Sequence, residues 1–146
     1  MTDSMRSMTV AALIRDGAGA TLIAKPTYRE GWLLPVGMVE EVESSKRAYR
    51  HKIKEEIALA LEVGRLLCDD YQRHSPRSKQ SLKFIFAGSS LDERHKTGIV
   101  LQEDKIADHA FVSADEALEK LHSFLSCRLW HTPEAEQTGQ AFYLED

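Results

Sequence analysis

Apolar positions recur along this chain in short runs divided by polar turns, and those runs predict most of the strands. Met8–Ile14 (MTVAALI) and Thr21–Lys25 (TLIAK) are aliphatic stretches parted by Asp16-Gly17-Ala18-Gly19, a pattern that predicts two strands joined in a hairpin. Ser44 or Ser45 is placed to cap a helix that runs to about Leu59. Arg65–Tyr71 (RLLCDDY) and Ser81–Ala87 (SLKFIFA) read as buried strands on either side of a polar turn at Ser75-Pro76-Arg77-Ser78. Ala110–Val112 predicts a short strand. Ala114–Leu125 predicts a helix with Ala117, Leu118, Leu121 and Phe124 on one face, and Ala141–Leu144 a closing edge strand. Strands and helices mix without a regular βαβ alternation, and no internal repeat, linker or low-complexity segment interrupts them.

Composition narrows the class. With 146 residues, 42% hydrophobic and 29% charged, the chain is expected to form one globular domain over residues 1–146 with a real core. No apolar run reaches membrane length, and the first residues, MTDSMRSM, lack the apolar core of a signal peptide; a cytoplasmic protein with no membrane partner is expected. A net charge of −4 and a pI near 5.9, with no dominating basic patch, argue against a nucleic-acid partner. Cys68 and Cys127 are too few and too scattered for a disulfide framework or a zinc site and are expected to be buried thiols. Of the six histidines, no pair has the i,i+4 spacing with a flanking acid of a zinc peptidase.

The chemistry concentrates between Gly37 and Leu59, GMVEEVESSKRAYRHKIKEEIAL. This stretch resembles the box of the Nudix hydrolase superfamily (MutT-like proteins), G-x5-E-x7-R-E-U-x-E-E-x-G-U, where U is a bulky aliphatic residue. Gly37, Glu43, Ile53, Glu55, Glu56 and Leu59 match; His51 replaces the Arg, Lys52 a Glu and Ala58 a Gly, so the box is degenerate. Upstream, Trp32–Gly37 (WLLPVG) resembles the W-x-L-P-G-G that leads into such boxes, with Val36 for the first Gly. Downstream, Leu101–Val112 (LQEDKIADHAFV) resembles the family's L-P-x-x-E-L-x-x-x-x-F-V segment, with Lys105 at the position of its acid and Glu103 and Asp104 beside it.

The resemblance implies an α/β fold, a Nudix-like α/β/α sandwich with a mixed β-sheet. It also implies Mg2+ or Mn2+ as cofactor if the protein is a hydrolase, and none otherwise. Positions 52, 55 and 56 share one helix face, where family members present carboxylates to divalent cations gripping a diphosphate. Here Lys52 nearly balances that face without a metal, and a cation would meet repulsion and miss one ligand. The metal ligands, if metal is retained, are Glu55, Glu56 and Glu43. Two acids of the family's site are lysines, Lys52 and Lys105, which favours an anionic small-molecule substrate. His51, Lys52, Glu55 and Glu56 are the candidate catalytic group. Trp32, Tyr71, Lys105 and His109 are the candidate substrate contacts, with core packing the alternative for Trp32 and a solvated turn the alternative for the basic stretch Tyr71, Arg73, His74, Arg77 and Lys79. The resemblance admits a homodimer, which no apolar stripe compels.

Three functions fit these residues. The first is hydrolysis of a diphosphate-linked small molecule with weakened divalent-metal dependence. The second is metal-independent acid–base chemistry by a repurposed enzyme, such as isomerisation, cyclisation or ring opening, carried by His51, Lys52, Glu55 and Glu56. The third is a ligand-binding module in which the box is a relic. Fold alone does not separate them.

Overall fold

A computed structural model describes residues 6–40, 43–72, 80–121 and 132–145. Seven strands form one mixed sheet: β1 (Arg6–Asp16), β2 (Thr21–Pro26), β3 (Val36–Met38), β4 (Leu66–Gln72), β5 (Gln80–Leu91), β6 (Ile106–Val112) and β7 (Phe142–Glu145), in the order β6-β2-β1-β5-β4-β7 with β3 paired to β1. β1 runs parallel to β5 and β4 parallel to β7; the other pairings are antiparallel. Helices α1 (Ser45–Ile57), α2 (Glu93–Thr97), α3 (Ala114–Lys120) and α4 (Thr132–Thr138) complete the described elements.

β1 explains the layering. Its run Val10–Ile14 is buried at every position, as a central strand covered on both faces requires. Alternate side chains then feed two cores. Val10, Ala12 and Ile14 pack with Ala48, Tyr49, Ile53 and Ile57 of α1; Ala11 and Leu13 pack with Ala117 of α3, Leu121 and Ala135 of α4. The molecule is therefore an α/β/α sandwich, as expected. Arg15 at the end of β1 holds Glu136 of α4 through two hydrogen bonds of 2.7 Å.

The first hairpin closes as predicted. Asp16 Oδ1 accepts from the amides of Ala18 and Ala20 at 3.0 and 2.9 Å, and the backbone bond Gly19 N–H to Asp16 O is 3.0 Å. Several elements differ from the sequence reading. β6 begins at Ile106 rather than Ala110, because its backbone pairs with β2 from Pro26↔Ile106 to Thr21↔Val112 whatever its side chains face. α2 and α4 are five- and seven-residue helices too short to show an apolar stripe. The helix expected over Ala114–Leu125 ends at Lys120, because the Leu121 backbone turns to the extended conformation (φ −72°, ψ 149°) and bridges to Trp32; Phe124, Leu125, Cys127, His122 and the turn at Ser75–Ser78 lie outside the described residues. Cys68 is buried in the α3/α4-side core. No described helix is long and apolar enough to cross a membrane.

Candidate active site

The site is assembled around the C-terminal half of α1. Ser44 caps the helix, its hydroxyl accepting from Arg47 N–H at 3.2 Å. Tyr49, Ile53 and Ile57 recur at i,i+4 and are buried on the sheet, which leaves His51, Lys52 and Glu55 on the outward side. The helix stops at Ala58, whose backbone is left-handed (φ 64°) and whose N–H bonds Lys54 O at 2.9 Å. This is the position where the motif carries Gly, and the left-handed turn is the physical reason.

Two further segments close on that helix end. Val100 N–H and Gln102 N–H donate to the carbonyls of Ile57 and Glu56 at 3.1 and 3.0 Å, satisfying acceptors that a helix terminus otherwise leaves open. This docks residues 98–105 beside α1 and brings Gln102 and Lys105 to it. From the other side, the Trp32–Gly37 segment runs into β3. Leu34 is buried, Pro35 O accepts from Ala12 N–H at 2.9 Å, and Val36 N–H donates to Glu56 Oε1 at 3.2 Å. A Cβ on Gly37 would overlap the Lys52 side-chain stem, so glycine is what lets β3 approach the helix this closely.

A cleft of about 310 Å³ lies where these three segments meet, lined by Tyr28, Val36, Gly37, Met38, Glu40, Lys52, Glu55, Glu56, Gln102 and Lys105. Lys52 Nζ is 3.2 Å from Glu40 Oε1 and 3.9 Å from Glu55 Oε2. Its pKa is raised, first by the hydrogen bond to Glu40 and then, against burial, by the neighbouring carboxylates. Glu56 is only 8% exposed, and burial pushes its carboxyl up to about 7. The Val36 amide and the charges of Lys105 and Lys52 pull it down; Glu55 pushes it up. The lining thus sets two ammonium groups against the carboxyls of Glu40, Glu55 and Glu56. That is balance when Glu56 is protonated, and a smaller swing toward positive than the two lysine substitutions alone imply.

Of the residues singled out in the sequence, Lys52, Glu55, Glu56 and Lys105 come together in this cleft. His51 sits on its outer side, half-exposed, with Nε2 3.1 Å from Glu55 Oε1 and Nδ1 4.0 Å from Glu43 Oε2. Glu43 does not line the cleft; its carboxylate accepts from Glu40 N–H at 3.0 Å. Trp32 packs against the α3/α4-side core with Lys120 Nζ 5.7 Å from its ring centroid, and borders a separate open cleft of about 830 Å³ with Lys25, Tyr28 and Arg29. Tyr71 lines a third cleft of about 260 Å³ with Met8 and Leu82, its hydroxyl bonded to Gln80 Nε2 at 2.8 Å. His109 packs edge-on against Phe111, with Nδ1 buried and unpaired, and lines none of these three clefts. Glu103 and Asp104 are exposed beside the cleft rather than in it. Arg73, His74, Arg77 and Lys79 lie outside the described residues.

Sequence reasoning missed Tyr28, Met38, Glu40 and Gln102. Glu40 sits inside the matched stretch, but only folding turns it toward Lys52.

The donor set does not suit a resident divalent ion. Among the described residues no three His, Cys, Asp or Glu side chains are placed to share one, and Lys52 occupies the space between Glu40 and Glu55. A cation there would have to displace an ammonium group already paired with both carboxylates.

A mixed sheet between helical layers, with a Gly-to-helix box packed against its central strand β1, is the fold of MutT-like proteins. The NUDIX domain model matches residues 5–128, and the chain belongs to that family. It is similar to a MutT protein from Methanosarcina mazei Go1 (18% identity, TM-score 0.78, covering 94% of this chain and 99% of that one). It is also similar to a UDP-X diphosphatase (25%, 0.72, 99% and 69%) and to a C. elegans Ap4A hydrolase (16%, 0.70, 91% and 98%). No curated protein matches the sequence significantly.

Proposed function

We propose that the protein hydrolyses a diphosphate-linked small molecule in the box cleft, with weakened dependence on divalent metal. Lys52 and Lys105 take up phosphate charge, and Glu56 accepts the proton of the attacking water. The observation that carries this is the meeting of two lysines and one buried carboxyl in a single cleft of a NUDIX-family chain. The likeness to a UDP-X diphosphatase at 25% identity supports the substrate class.

In the proposed step, water oxygen bonds to one phosphorus, the bridging P–O bond breaks, and each phosphoryl group leaves on its own product. The water's proton passes to Glu56 and from there to solvent. A carboxyl held near 7 is half-ionised at neutral pH, so it is basic enough to take a proton and acidic enough to release it. Lys52 exchanges Glu40 for a phosphate oxygen on binding, a small electrostatic rearrangement because Glu40 is largely exposed. A bound anion raises the Glu56 pKa further, so turnover should climb as pH rises through and above 7.

The test is release of phosphomonoester from nucleoside diphosphate derivatives, with chelator and with Mg2+, alongside calorimetric titration of Mg2+ and Mn2+. Turnover persisting in chelator is expected, with Lys52→Ala lowering kcat/KM by about 10–100-fold, the loss of roughly 1.4–2.8 kcal/mol of transition-state stabilisation. Phosphomonoester formed only with tightly bound Mg2+ would overturn the role given to the lysines. A second reading, metal-independent proton transfer on an anion without a diphosphate, draws on the same buried Glu56. It gains if no diphosphate-linked compound turns over with or without metal while Glu56→Gln abolishes another measurable conversion.

A further inference from the structure

The chain is acidic as a whole, yet much of its positive charge is gathered on one helix. Five of its 19 lysines and arginines fall within Ser45–Lys54, a stretch with no aspartate or glutamate, although the net charge of the chain is −4. Lys52 turns into the box cleft and pairs with Glu40. The other four, Lys46, Arg47, Arg50 and Lys54, lie exposed along α1 while Tyr49, Ile53 and Ile57 face the sheet. Among the described residues none of these four forms an ion pair.

Folding alone gives no reason for this arrangement. A helix dipole favours acids in the first turn and bases in the last. α2 opens with Glu93, and α3 with Asp115 and Glu116, in keeping with that preference. α1 has no acid in its first turn and opens with Lys46 and Arg47 instead. Lys46 and Arg50, then Arg50 and Lys54, follow at i,i+4, where like charges repel. The four cations span about 12 Å of helix within an arc of roughly 100°. They form a row, and no described carboxylate supplies its counter-charge.

We infer that this face of α1 is a docking surface for the phosphate backbone of a single-stranded nucleic acid. The inference is independent of the reaction proposed for the cleft. The exposed positions from Lys46 to Lys54 include no aliphatic or aromatic side chain, and none of the described exposed large hydrophobics lies on α1. A protein partner requires a dry apolar or aromatic anchor, with lysine kept to the rim. A bilayer requires apolar side chains that insert beside the cations. A phosphate backbone requires neither, because its affinity comes from cations that displace condensed counterions. One row of cations also reaches one backbone, since the two strands of a duplex stand a groove's width apart. With no aromatic platform, the contact is indifferent to base sequence. The net charge of the whole chain argues the other way, but an average over 146 residues does not describe one face.

The test is fluorescence anisotropy with a labelled oligothymidylate of about 20 nucleotides ending in a 5′ hydroxyl, which offers the cleft no terminal phosphate. The wild type should bind, with affinity falling about fifty-fold between about 50 and 200 mM salt, the slope for four phosphate contacts on a single strand. Lys46→Gln, Arg47→Gln, Arg50→Gln and Lys54→Gln combined should lower affinity by about tenfold or more at the lower salt. Tm should hold or rise in that variant, because the repulsion and the opposed dipole leave with the charges. Arg50→Gln alone should make the logarithmic salt slope shallower by about 0.7, which decides the matter if the combined variant does not fold. Lys105→Gln, in the cleft, should leave binding intact. No binding at the lower salt, binding that survives the combined variant, or loss of binding in Lys105→Gln overturns the inference. So does tighter binding of a duplex of the same length, which assigns the face to paired strands. Equal competition by poly-glutamate or phosphatidylserine vesicles at matched charge also overturns it, reducing the face to a general anion binder. None of these failures touches the hydrolysis proposed for the cleft.

Discussion

Glu56 is the residue whose environment departs furthest from its chemistry. Buried beside the Val36 amide, its carboxyl has a folded-state pKa of about 7, above the 4.5 of a free glutamic acid. The folded state therefore holds the proton more tightly than the unfolded chain. Glu56 does not penalise folding below the unfolded pKa; the penalty grows as pH rises from about 4.5 and is complete above about 7. A shift of this size corresponds to roughly 3 kcal/mol, and Glu56→Gln, which keeps an acceptor for Val36, should abolish it. Urea denaturation at pH 5 and pH 8 checks this: the variant should gain on the wild type as pH rises, and a pH-independent difference would contradict the buried carboxyl. Lys52 carries a second expectation. Lys52→Glu with His51→Arg restores the family's residues on the exposed side of α1, so calorimetry should detect Mg2+ binding absent from the wild type. Both positions were readable in the sequence as departures from a spaced motif. The burial that gives Glu56 its character was not, because it depends on β3 and the 98–105 segment covering it.

At the scale of elements, α1 repeats its pattern often enough to be legible. Ser44 caps it, i,i+4 apolar positions face the sheet, and the motif marks its end. That end is strained, since Ala58 is the sole positive-φ residue other than glycine among those described. Ala58→Gly should stabilise the protein by about 0.5–1 kcal/mol, the left-handed penalty less the greater unfolded-state freedom of glycine, and should raise Tm by a few degrees. Thermal unfolding of the variant is the check. Elements without a long pattern were less legible. β6 was predicted only over Ala110–Val112, because polar Asp108 and His109 hide a strand that backbone pairing extends to Ile106. α2 and α4, at five and seven residues, show no stripe to read. Tyr28 sits in an unpatterned loop, and its place in the cleft follows from the Thr27 bonds to the opposite loop, 77 residues away in sequence for the Asp104 contact.

Across the whole molecule, the sheet is the shared wall of two cores. Ile53 on α1 and Ile85 on β5 belong to different cores on its two faces. Each truncation to Ala should cost about 2–5 kcal/mol, and the double variant should lose close to the sum, because no cavity or partner is shared across the sheet. Chemical denaturation of the single and double variants tests this; strong non-additivity would show the two faces coupled through β1 and β5. The box cleft lies where a helix end, an arriving strand and a docked loop converge.

The sequence by itself determined the family, the mixed α/β class, the strands with long apolar runs, the box helix and the substitution of lysine for two expected acids. Those features are local: they depend on periodicity, caps and spacing within about twenty consecutive residues. Tertiary structure alone decided which charged groups face one another. It put Lys52 against Glu40, buried Glu56 beneath Val36, carried Lys105 to the helix end through the bonds to Ile57 and Glu56, and brought Tyr28 with it. Burial and long-range pairing set charge balance and pKa, and neither is a property of any single stretch of chain.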